Sequence, residues 1–388
     1  MIPRSPSTAE TPISGSPSQT HHPQSVVVIG AGVVGCSVAW WLQSRGHAVS
    51  LVDPRGQGPQ AEGAGSSAAL GLLMAQVYRR SSGRGWRLRQ RSHSLWQQWR
   101  QQLRERGHTI PWRAGLLQLA RDAQELAAQS HVAAERRRQG IELQLLDQHD
   151  LAALRPAIPS CAVGGLLSPQ DGQLDPVPAM AALRADGLQL GMELLADRVV
   201  GLERRDNPSR GRWRLQLAGQ QTLETAWVVV CAGLGSPMLL EPLGHSRPQS
   251  PVLGQALELQ LPDGTPDPCL WPGSISWGGV NLVPRPGGRL WLGATLEPDG
   301  ADGRPDPASR AAALEQLRHL GGSAPDWLEQ ARPLRQWQGL RARPEGRPAP
   351  LLEQLEPGLL LVSGHYRNGV LLAPASAEWA ASVIEAAT

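Results

Sequence analysis

The spacing of apolar residues changes from one segment of the chain to the next, and each spacing predicts either a strand or a helix. SVVVIG, residues 25–30, is a short β-branched run typical of a strand, and the stretch after it places its apolar residues at helical spacing. HAVSLVD, residues 47–53, predicts a second strand. The order strand, helix, strand over residues 25–54 predicts a βαβ unit.

The same spacings predict the remaining elements. Helical patterns cover residues 86–107, 121–140, 307–331 and a last segment from about Leu371. Strand patterns dominate residues 190–235 and 251–296 and return in GLLLVSG, just before the last helix. RPGGR, between two apolar runs of NLVPRPGGRLWLGAT, predicts a hairpin turn.

Residues 1–24 are rich in Ser, Pro and Thr and lack apolar periodicity, which predicts a disordered tail. The tail contains no apolar h-region, so a secretory signal is not expected. No apolar run reaches the roughly 18–20 residues that a membrane-spanning helix needs. A protein without a membrane span is therefore expected.

Composition narrows the classes of function. The chain has 388 residues, 41% of them hydrophobic, and a formal net charge of +3 from scattered basic residues. A nucleic-acid protein would concentrate its basic residues on one face, so no nucleic-acid partner is expected. All 37 basic residues are arginine, which excludes a Schiff-base lysine and with it ordinary pyridoxal-phosphate chemistry.

Cysteine and histidine usage gives no sign of a metal. Cys36, Cys161, Cys231 and Cys269 are widely spaced without a C-x-x-C pair, and Cys36 and Cys231 lie in apolar segments that predict burial. The ten histidines show no ligand spacing. We expect no metal, no disulfide and a reducing, cytoplasmic location.

GAGVVG supplies the strongest chemical motif. Gly30, Gly32 and Gly35 have the G-x-G-x-x-G spacing between a predicted strand and a predicted helix, where a pyrophosphate approaches the backbone and the helix N-terminus. Asp53 follows Gly30 by 23 positions and ends the next strand, where a carboxylate accepts ribose hydroxyls and repels a 2′-phosphate. The motif predicts a dinucleotide and disfavours NADP.

The rest of the chain favours FAD over NAD. After Asp53 the chain leaves the βαβ repeat and later returns twice to a strand followed by glycines. The first return is VVVCAGLGS, with Gly233 and Gly235, and the second is SGHYRNGVLLAP, residues 363–374. A cofactor longer than NAD, lying across several strand ends, requires such distant contributions. The second return is either a plain turn or a backbone cradle for that cofactor.

Several segments carry a resemblance to a known family. VVVIGAGVVG…VSLVD, GSSAALGLL, VVVCAGLGS, NLVPRPGGRLWLGAT, GLRARPEGRPAPLL and SGHYRNGVLLAP occur in the order of the D-amino-acid oxidase-like FAD-dependent oxidoreductases. The chain most resembles the glycine oxidase branch, which serves thiamine biosynthesis. The resemblance covers residues 25–385 and is most specific in the last segment.

The resemblance implies an α/β fold, α+β overall. A Rossmann-like FAD-binding domain of the glutathione-reductase type lies beside a second, antiparallel-sheet substrate domain. The implied FAD-binding domain is discontinuous, over residues 25–105, 165–245 and 335–388. The substrate domain then comprises residues 106–164 and 246–334.

The resemblance also implies the residues that hold non-covalent FAD. These are Gly30, Gly32, Val34, Gly35, Asp53, Pro54, Arg55, Ser66, Ser67, Gly71, Leu72, Leu73, Val199, Gly233, Gly364, His365, Tyr366, Arg367, Asn368, Gly369, Val370 and Leu371. On this reading SGHYRNGVLLAP is a cradle for the flavin ring. No cysteine lies in its C-terminal half, which disfavours a covalent flavin.

A small substrate with a carboxylate needs a cation. Arg341 matches the family's bidentate carboxylate clamp and Arg367 a second arginine near the substrate, while Arg343 is a rival clamp just outside the matched pattern. Asn281 stands where relatives often place a pocket-lining tyrosine, and Leu296 matches another lining position. Substrate preference is therefore open, and no protein base is assigned.

The resemblance implies an amine oxidase that uses O2. Glycine, or sarcosine or a small D-amino acid, would give the imine or glyoxylate and hydrogen peroxide, and the imine would serve the thiazole of thiamine. Thiazole synthase is an expected partner and a homotetramer the expected assembly. Two alternatives stay open: a dehydrogenase for D-amino acids or secondary amines with another electron acceptor, and a non-catalytic FAD-binding partner protein.

Overall fold

The computed structural model describes residues 22–56, 63–205, 212–298 and 306–387. The prediction of a disordered tail over residues 1–24 falls mostly outside the described residues, and residues 22–24 have no regular secondary structure. Among the described residues, no helix has the length and apolar character required to cross a bilayer.

Helices and strands alternate through the first half of the chain, and strands dominate the second. The helices are α1 Val33–Ser44, α2 Gly83–Glu105, α3 Ala123–Arg138, α4 Gln148–Ala152, α5 Pro176–Gln189, α6 Ser236–Leu240, α7 Pro307–Arg318, α8 Asp326–Glu329 and α9 Gly369–Ala386. The first strands are β1 Ser25–Ile29, β2 Ala48–Val52, β3 Gly63–Ala64, β4 Leu72–Leu73, β5 Trp112–Ala120, β6 Gln144–Leu146, β7 Gly164–Leu174, β8 Glu193–Leu195, β9 Val199–Arg204 and β10 Trp213–Leu217. The remaining strands are β11 Thr222–Thr225, β12 Trp227–Val230, β13 Gln249–Gln260, β14 Ser274–Trp277, β15 Val280–Arg285, β16 Arg289–Gly293, β17 Glu297–Pro298, β18 Arg332–Pro344, β19 Leu351–Glu356 and β20 Leu359–Ser363.

A six-stranded sheet has the order β19-β20-β12-β1-β2-β8 and is parallel except for the β19–β20 pair. Its central strands are buried because α1, α5 and α9 cover one face and the three-stranded sheet β11-β10-β9 covers the other. Burial on both faces explains why β1 and β12 read as continuous apolar runs. The predicted βαβ unit is confirmed, since β1 and β2 pair in parallel across α1.

A larger mixed sheet has the order β3-β18-β13-β16-β15-β14-β5-β7-β4 along its main path. Most pairs are antiparallel, and the predicted hairpin forms between β15 and β16. Helices α7 and α8 cover one face through an apolar cluster that includes Leu317 and Leu328. The strand register places Arg341 and Asn281 on the opposite face.

Two sequence predictions differ from the structure. The helix predicted over residues 307–331 is two helices, α7 and α8, because Leu320, Gly321 and Gly322 adopt positive φ and break it. The last helix begins at Gly369 rather than near Leu371. The predicted domain boundary at residue 165 falls inside β7, and the one near residue 335 falls inside β18. The division into domains stays a prediction.

A buried carboxylate fixes the segment that follows β4. Asp171 is 0% exposed, and its side chain accepts the backbone N–H groups of Ala75 at 2.8 Å, Gln76 at 3.0 Å and Val77 at 3.1 Å. Arg136 is also 0% exposed and donates to Gln76 O at 2.8 Å. These bonds satisfy backbone groups of an irregular segment that would otherwise be buried without partners.

We expect Asp171→Asn to lower the free energy of unfolding by about 2 kcal/mol, because an amide NH2 then faces a buried backbone N–H in place of an acceptor. Urea denaturation of the FAD-loaded protein measures the loss. Asp263→Asn, at an exposed position, is the control and is expected to stay within about 0.5 kcal/mol of the unsubstituted protein. Equal stabilities for the two variants would contradict the role given to Asp171.

Candidate active site

The glycine motif brings α1 close to the strand ends of the first sheet. Gly30 has a φ of +100°, and its N–H donates to Val52 O at 2.8 Å. A Cβ atom on Gly35 would lie 1.8 Å from Gly30 O, so only glycine fits there. Cys231 N–H donates to Ile29 O at 2.9 Å, which places the end of β12 beside this loop.

Asp53 follows β2 and turns toward the glycine loop. Its carboxylate accepts the N–H of Ala31 at 2.9 Å and the N–H of Arg55 at 3.0 Å. The three residues predicted for the ribose region, Asp53, Pro54 and Arg55, therefore begin directly beside the glycine motif.

The N-terminus of α1 lies beside the segment that contains Ser66. Gly32 is the N-cap residue and gives no side-chain cap, and the first turn contains no acidic residue. Val33 N–H donates to Ser66 Oγ at 3.0 Å, while Ser67 Oγ donates to Ala64 O at 3.2 Å. Because free N–H groups and the helix dipole favour negative charge, this end of α1, including Val34, fits a dinucleotide pyrophosphate.

The other predicted FAD-contact positions lie on several strand ends. Gly71 has a φ of +79°, and a Cβ there would lie 1.7 Å from Leu174 O. Leu72 and Leu73 form β4 at an edge of the large sheet. Val199 begins β9 and is buried, and Gly233 has a φ of +56° just after β12. A long cofactor would have to cross these ends, as predicted for FAD.

SGHYRNGVLLAP forms a strained turn between β20 and α9. Gly364 has a φ of +64°, and Tyr366 has a φ of +55° although it is not glycine. Tyr366 N–H donates to Ala342 O at 3.2 Å, and Asn368 N–H donates to His365 O at 3.0 Å. A non-glycine residue held in the left-handed region is typical of functional sites.

This turn meets the glycine motif at the other end of the chain. A Cβ on Gly369 would lie 3.9 Å from Val33 Cγ1, so the first turns of α1 and α9 are neighbours. Arg89 Nη2 donates to Asn368 Oδ1 at 2.9 Å and fixes the turn from outside. Val370 and Leu371 are buried at the start of α9. The flavin-cradle interpretation of the turn stays a prediction, and this convergence favours it.

His365 is a neutral structural group in the turn. Its Nε2 lies 2.8 Å from Ser376 Oγ, and Ser376 Oγ donates to Leu372 O at 2.9 Å. The hydroxyl therefore accepts from His365 Nε2–H. Burial, helped by the charge of Arg84, lowers the pKa of His365 to about 3. The imidazole stays uncharged over the whole neutral range.

The lowered pKa of His365 predicts a pH-dependent stability. The unfolded chain binds a proton on this histidine below pH of about 6.5, whereas the folded protein does not until about pH 3, so acid favours unfolding. We expect this histidine to reduce the free energy of unfolding by about 2 kcal/mol between pH 8 and pH 5.

Urea denaturation at both pH values with saturating FAD measures the change. His365→Gln keeps a donor for Ser376 and should remove this part of the pH dependence. His149→Gln, at an exposed position, should keep it. The assignment is wrong if both variants lose the same amount of stability on acidification.

Arg341 is a cation without a carboxylate partner among the described residues. It lies on β18, its Nη1 donates to Leu253 O at 3.0 Å, and a Cβ on Gly254 would lie 2.2 Å from its guanidinium. Burial, followed by the charge of Arg367, lowers the pKa of Arg341. An arginine keeps its charge under such a shift, so Arg341 is suited to a ligand carboxylate.

Strand register places Asn281 and Arg341 on the same face of the large sheet. Asn281 pairs with Gly293 on β16, and Gly293 pairs with Ala256 on β13. Arg341 pairs with Val252, which is four residues before Ala256 on β13 and therefore on the same face. Asn281 Oδ1 is buried without a hydrogen-bond partner among the described residues. The residues between the two side chains are small, and Leu70 packs over Gly293, where a Cβ would lie 3.2 Å from Leu70 Cδ1.

The other predicted substrate residues lie closer to the surface. Arg367 is exposed in the turn after β20, near enough to Arg341 to affect its pKa. Leu296 follows β16 and is 48% exposed. Arg343 lies two residues beyond Arg341 on the same face of β18 and pairs with Ser250. The structure brings Arg341 and Arg367 together and leaves Leu296 outward.

Two further connections were not predicted from the sequence. Trp337 Nε1 donates to Ala68 O at 3.1 Å and joins β18 to the segment of Ser66 and Ser67. Arg285 stacks 3.8 Å from the ring centroid of Trp291 and pairs with Asp175 at 2.8 Å. The sequence signal for the second contact is the VPR motif, which contains Arg285 but does not identify Asp175 as its partner. These contacts tie the large sheet to the dinucleotide side.

The cysteines and one acidic cluster have structural surroundings in the part of the chain that the structure describes. All four cysteines are free, and burial raises the pKa of Cys36 to about 12 and also raises that of Cys231. The predicted role as small hydrophobic residues fits these two. Asp147, His149 and Asp150 cluster on the exposed surface, where Asp147 and Asp150 form the capping box of α4.

The glycine motif after β1, the positive-φ turn before α9 and an arginine with no carboxylate partner among the described residues are features expected of a flavin-dependent oxidoreductase. Residues 25–383 match the FAD dependent oxidoreductase family (DAO), and the chain belongs to this family. The predictions of the family, the fold class and FAD as cofactor are confirmed.

Particular relatives are similar along nearly the whole chain. Glycine oxidase from Geobacillus kaustophilus is 30% identical over 368 residues, which is 94% of this chain and 93% of that protein. Its crystal structure superposes with a TM-score of 0.80 at 29% identity and covers 95% of each chain. The bifunctional protein ThiO/ThiG from Nostoc sp. is 29% identical over 93% of this chain and 52% of that protein, so the chain spans about half of it.

Proposed function

We propose that the protein is an FAD-dependent amine oxidase for glycine or a similarly small amino acid, including sarcosine and small D-amino acids. The observation that carries this proposal is Arg341, a cation that lies over Gly254 with no carboxylate partner among the described residues. Similarity to glycine oxidase supports the reaction type. The products would be the imine or glyoxylate and hydrogen peroxide.

The residues of the chain bind and orient the substrate. The planar guanidinium of Arg341 binds the carboxylate through two parallel bonds, and Arg367 adds positive charge at the entrance. A fixed carboxylate also fixes the position of the α-carbon, and this sets the geometry for hydride transfer from that carbon. Asn281 contributes an amide where an aromatic wall would otherwise limit the space. The substrate amine binds neutral, so no protein group has to accept its proton.

Bound FAD would supply the acceptor for the substrate hydride and the transfer of the electrons to O2. The N-terminus of α1 would hold its pyrophosphate, and the backbone of residues 365–371 would face the flavin ring. The N-terminus of α9 would place a partial positive charge there and favour negative charge on the ring. The other predicted FAD-contact positions, from Asp53 to Val199 and Gly233, would complete this site.

The decisive experiment is an anaerobic titration of the yellow, FAD-loaded protein with glycine. Bleaching by glycine, with return of colour and stoichiometric peroxide on admission of air, is the expected result. Bleaching that air reverses only slowly would favour a dehydrogenase with another electron acceptor. If no small amino acid or amine bleaches the flavin, the oxidase proposal fails and a non-catalytic FAD protein replaces it.

The biological setting is a further part of the proposal. The imine would feed the thiazole of thiamine through thiazole synthase, because a relative carries the name ThiO/ThiG for two joined functions. A homotetramer and a cytoplasmic location complete the prediction. Copurification with thiazole synthase and the mass of the assembly in solution test the partner and the oligomer separately.

A further inference from the structure

Four tryptophan side chains form a continuous row between the proposed flavin cradle and the surface. We name Trp40 and Trp41 of α1 together with Trp96 and Trp99 of α2 the tryptophan row. Ring centroids are 5.7 Å apart for Trp96 and Trp99, 4.7 Å for Trp99 and Trp40, and 5.3 Å for Trp99 and Trp41. Each step is a direct ring contact.

One end of the row touches the first turn of α9. Trp96 is 0% exposed, and its indole N–H donates to Val370 O at 2.8 Å. Val370 belongs to the segment that is proposed to face the flavin ring. The other end is Trp41, which is half-buried and has the Arg45 guanidinium 5.5 Å from its ring centroid. The row therefore crosses from the buried cradle to solvent through α2 and α1.

Packing alone does not explain the choice of indole rings. The indole N–H groups of Trp41 and Trp99 are buried without a hydrogen-bond partner among the described residues. Each such donor costs about 1–3 kcal/mol, which a purely apolar ring would avoid. Indole differs from an apolar ring in another respect, since it is far easier to oxidise by one electron.

The charged side chains next to Trp40 differ from those next to Trp41. Trp40 Nε1 donates at 2.7 Å to Asp186, whose carboxylate is 1% exposed and is also paired with Arg106 at 2.8 Å. An adjacent carboxylate stabilises a positive charge on the Trp40 ring and accepts its indole proton. The Arg45 cation beside Trp41 is paired with the Glu385 carboxylate at 2.7 Å, so these two charges largely cancel at that end of the row. A positive charge that leaves Trp96 is therefore drawn to Trp40, with Trp41 as the exit to solvent.

We propose that the tryptophan row carries single oxidising equivalents from the flavin site to the surface. Trp96 gives one electron to the light-excited flavin, Trp99 gives one to Trp96, and Trp40 or Trp41 gives one to Trp99. An external thiolate then gives one electron to Trp41 and becomes a thiyl radical. The net change is one electron moved from thiolate to flavin, with all indole rings restored. In a peroxide-forming enzyme this route removes one-electron oxidants from the active site. The inference needs bound FAD but not the proposed substrate.

Laser-flash absorption of the FAD-loaded protein, without oxygen or amino acid, tests the route. Dithiothreitol at pH 8 is the electron donor. We expect a long-lived indole radical whose decay the thiol accelerates, leaving reduced flavin. Trp99→Phe should lose the thiol effect, because charge that reaches only Trp96 returns to the flavin. Trp41→Phe, altered at the half-buried end, should keep the radical but lose the thiol effect.

Trp213→Phe is the matched control, since Trp213 is buried in the cluster on the opposite face of the first sheet. It should behave like the unsubstituted protein. FAD absorbance and the thermal midpoint show that each variant is folded and loaded. The proposal is overturned if Trp99→Phe and Trp41→Phe both keep the thiol effect. It is also overturned if the radical survives Trp96→Phe unchanged, since Tyr366, Trp291 or Trp337 would then be the donor.

Discussion

Replacing Arg341 with glutamine is expected to lower kcat/KM for glycine by roughly 100-fold. The variant leaves the substrate carboxylate in a half-buried site without its bidentate cation, which costs about 3 kcal/mol. Arg341→Lys keeps the charge but not the fork, so an intermediate loss is expected. Stopped-flow bleaching of the flavin at varied glycine concentrations measures the effect. FAD content should not change, because the proposed role of Arg341 is to bind the substrate and not the cofactor.

Arg343→Gln is the matched control for Arg341. Both arginines lie on the same face of β18, two residues apart, but only Arg341 lies over Gly254 on the neighbouring strand. We expect Arg343→Gln to change kcat/KM by less than about threefold. A larger loss for Arg343→Gln than for Arg341→Gln would make Arg343 the carboxylate clamp. A small loss for both would remove the clamp from the mechanism.

Local constraints made the dinucleotide side of the fold predictable. G-x-G-x-x-G specifies its own backbone, since Gly30 needs a positive φ and Gly35 has no room for a Cβ. The hairpin between β15 and β16 follows from RPGGR for the same reason. The two later glycine junctions, at Gly233 and Gly364, also adopt positive φ. In each case the glycines that identify the motif in the sequence are also the residues whose backbone conformation forms the turn.

Long-range pairing accounts for what the sequence could not predict. Arg341 finds Gly254 because β18 pairs with β13, and no local pattern reports that register. Asp171 accepts a hydrogen bond from Ala75, about a hundred positions earlier in the chain, and this contact also depends on how distant segments pack together. The burial of Asn281 Oδ1 without a hydrogen-bond partner among the described residues likewise depends on the pairing of β15 with β16.

Gly35→Ala is expected to remove bound FAD and to lower the free energy of unfolding by about 3 kcal/mol. Its Cβ would lie 1.8 Å from Gly30 O, a backbone atom, so α1 must move away from β1. That movement would withdraw the helix N-terminus from the proposed pyrophosphate position. Visible absorbance of the purified protein and urea denaturation measure the two losses. Gly85→Ala, in the first turn of α2, has ordinary room and should gain about 0.5 kcal/mol with full FAD content.

Gly369→Ala separates cofactor binding from folding. A Cβ there would lie 3.8 Å from His365 Cβ and 3.9 Å from Val33 Cγ1, both ordinary contacts, and alanine is the better helix former. The apoprotein should therefore be at least as stable as the unsubstituted one. If residues 365–371 face the flavin ring, the added methyl group meets the cofactor and should weaken FAD binding by about tenfold. Fluorescence titration of apoprotein with FAD measures this. Unchanged affinity would move the flavin away from this turn, because Gly369 would then have no ligand to approach.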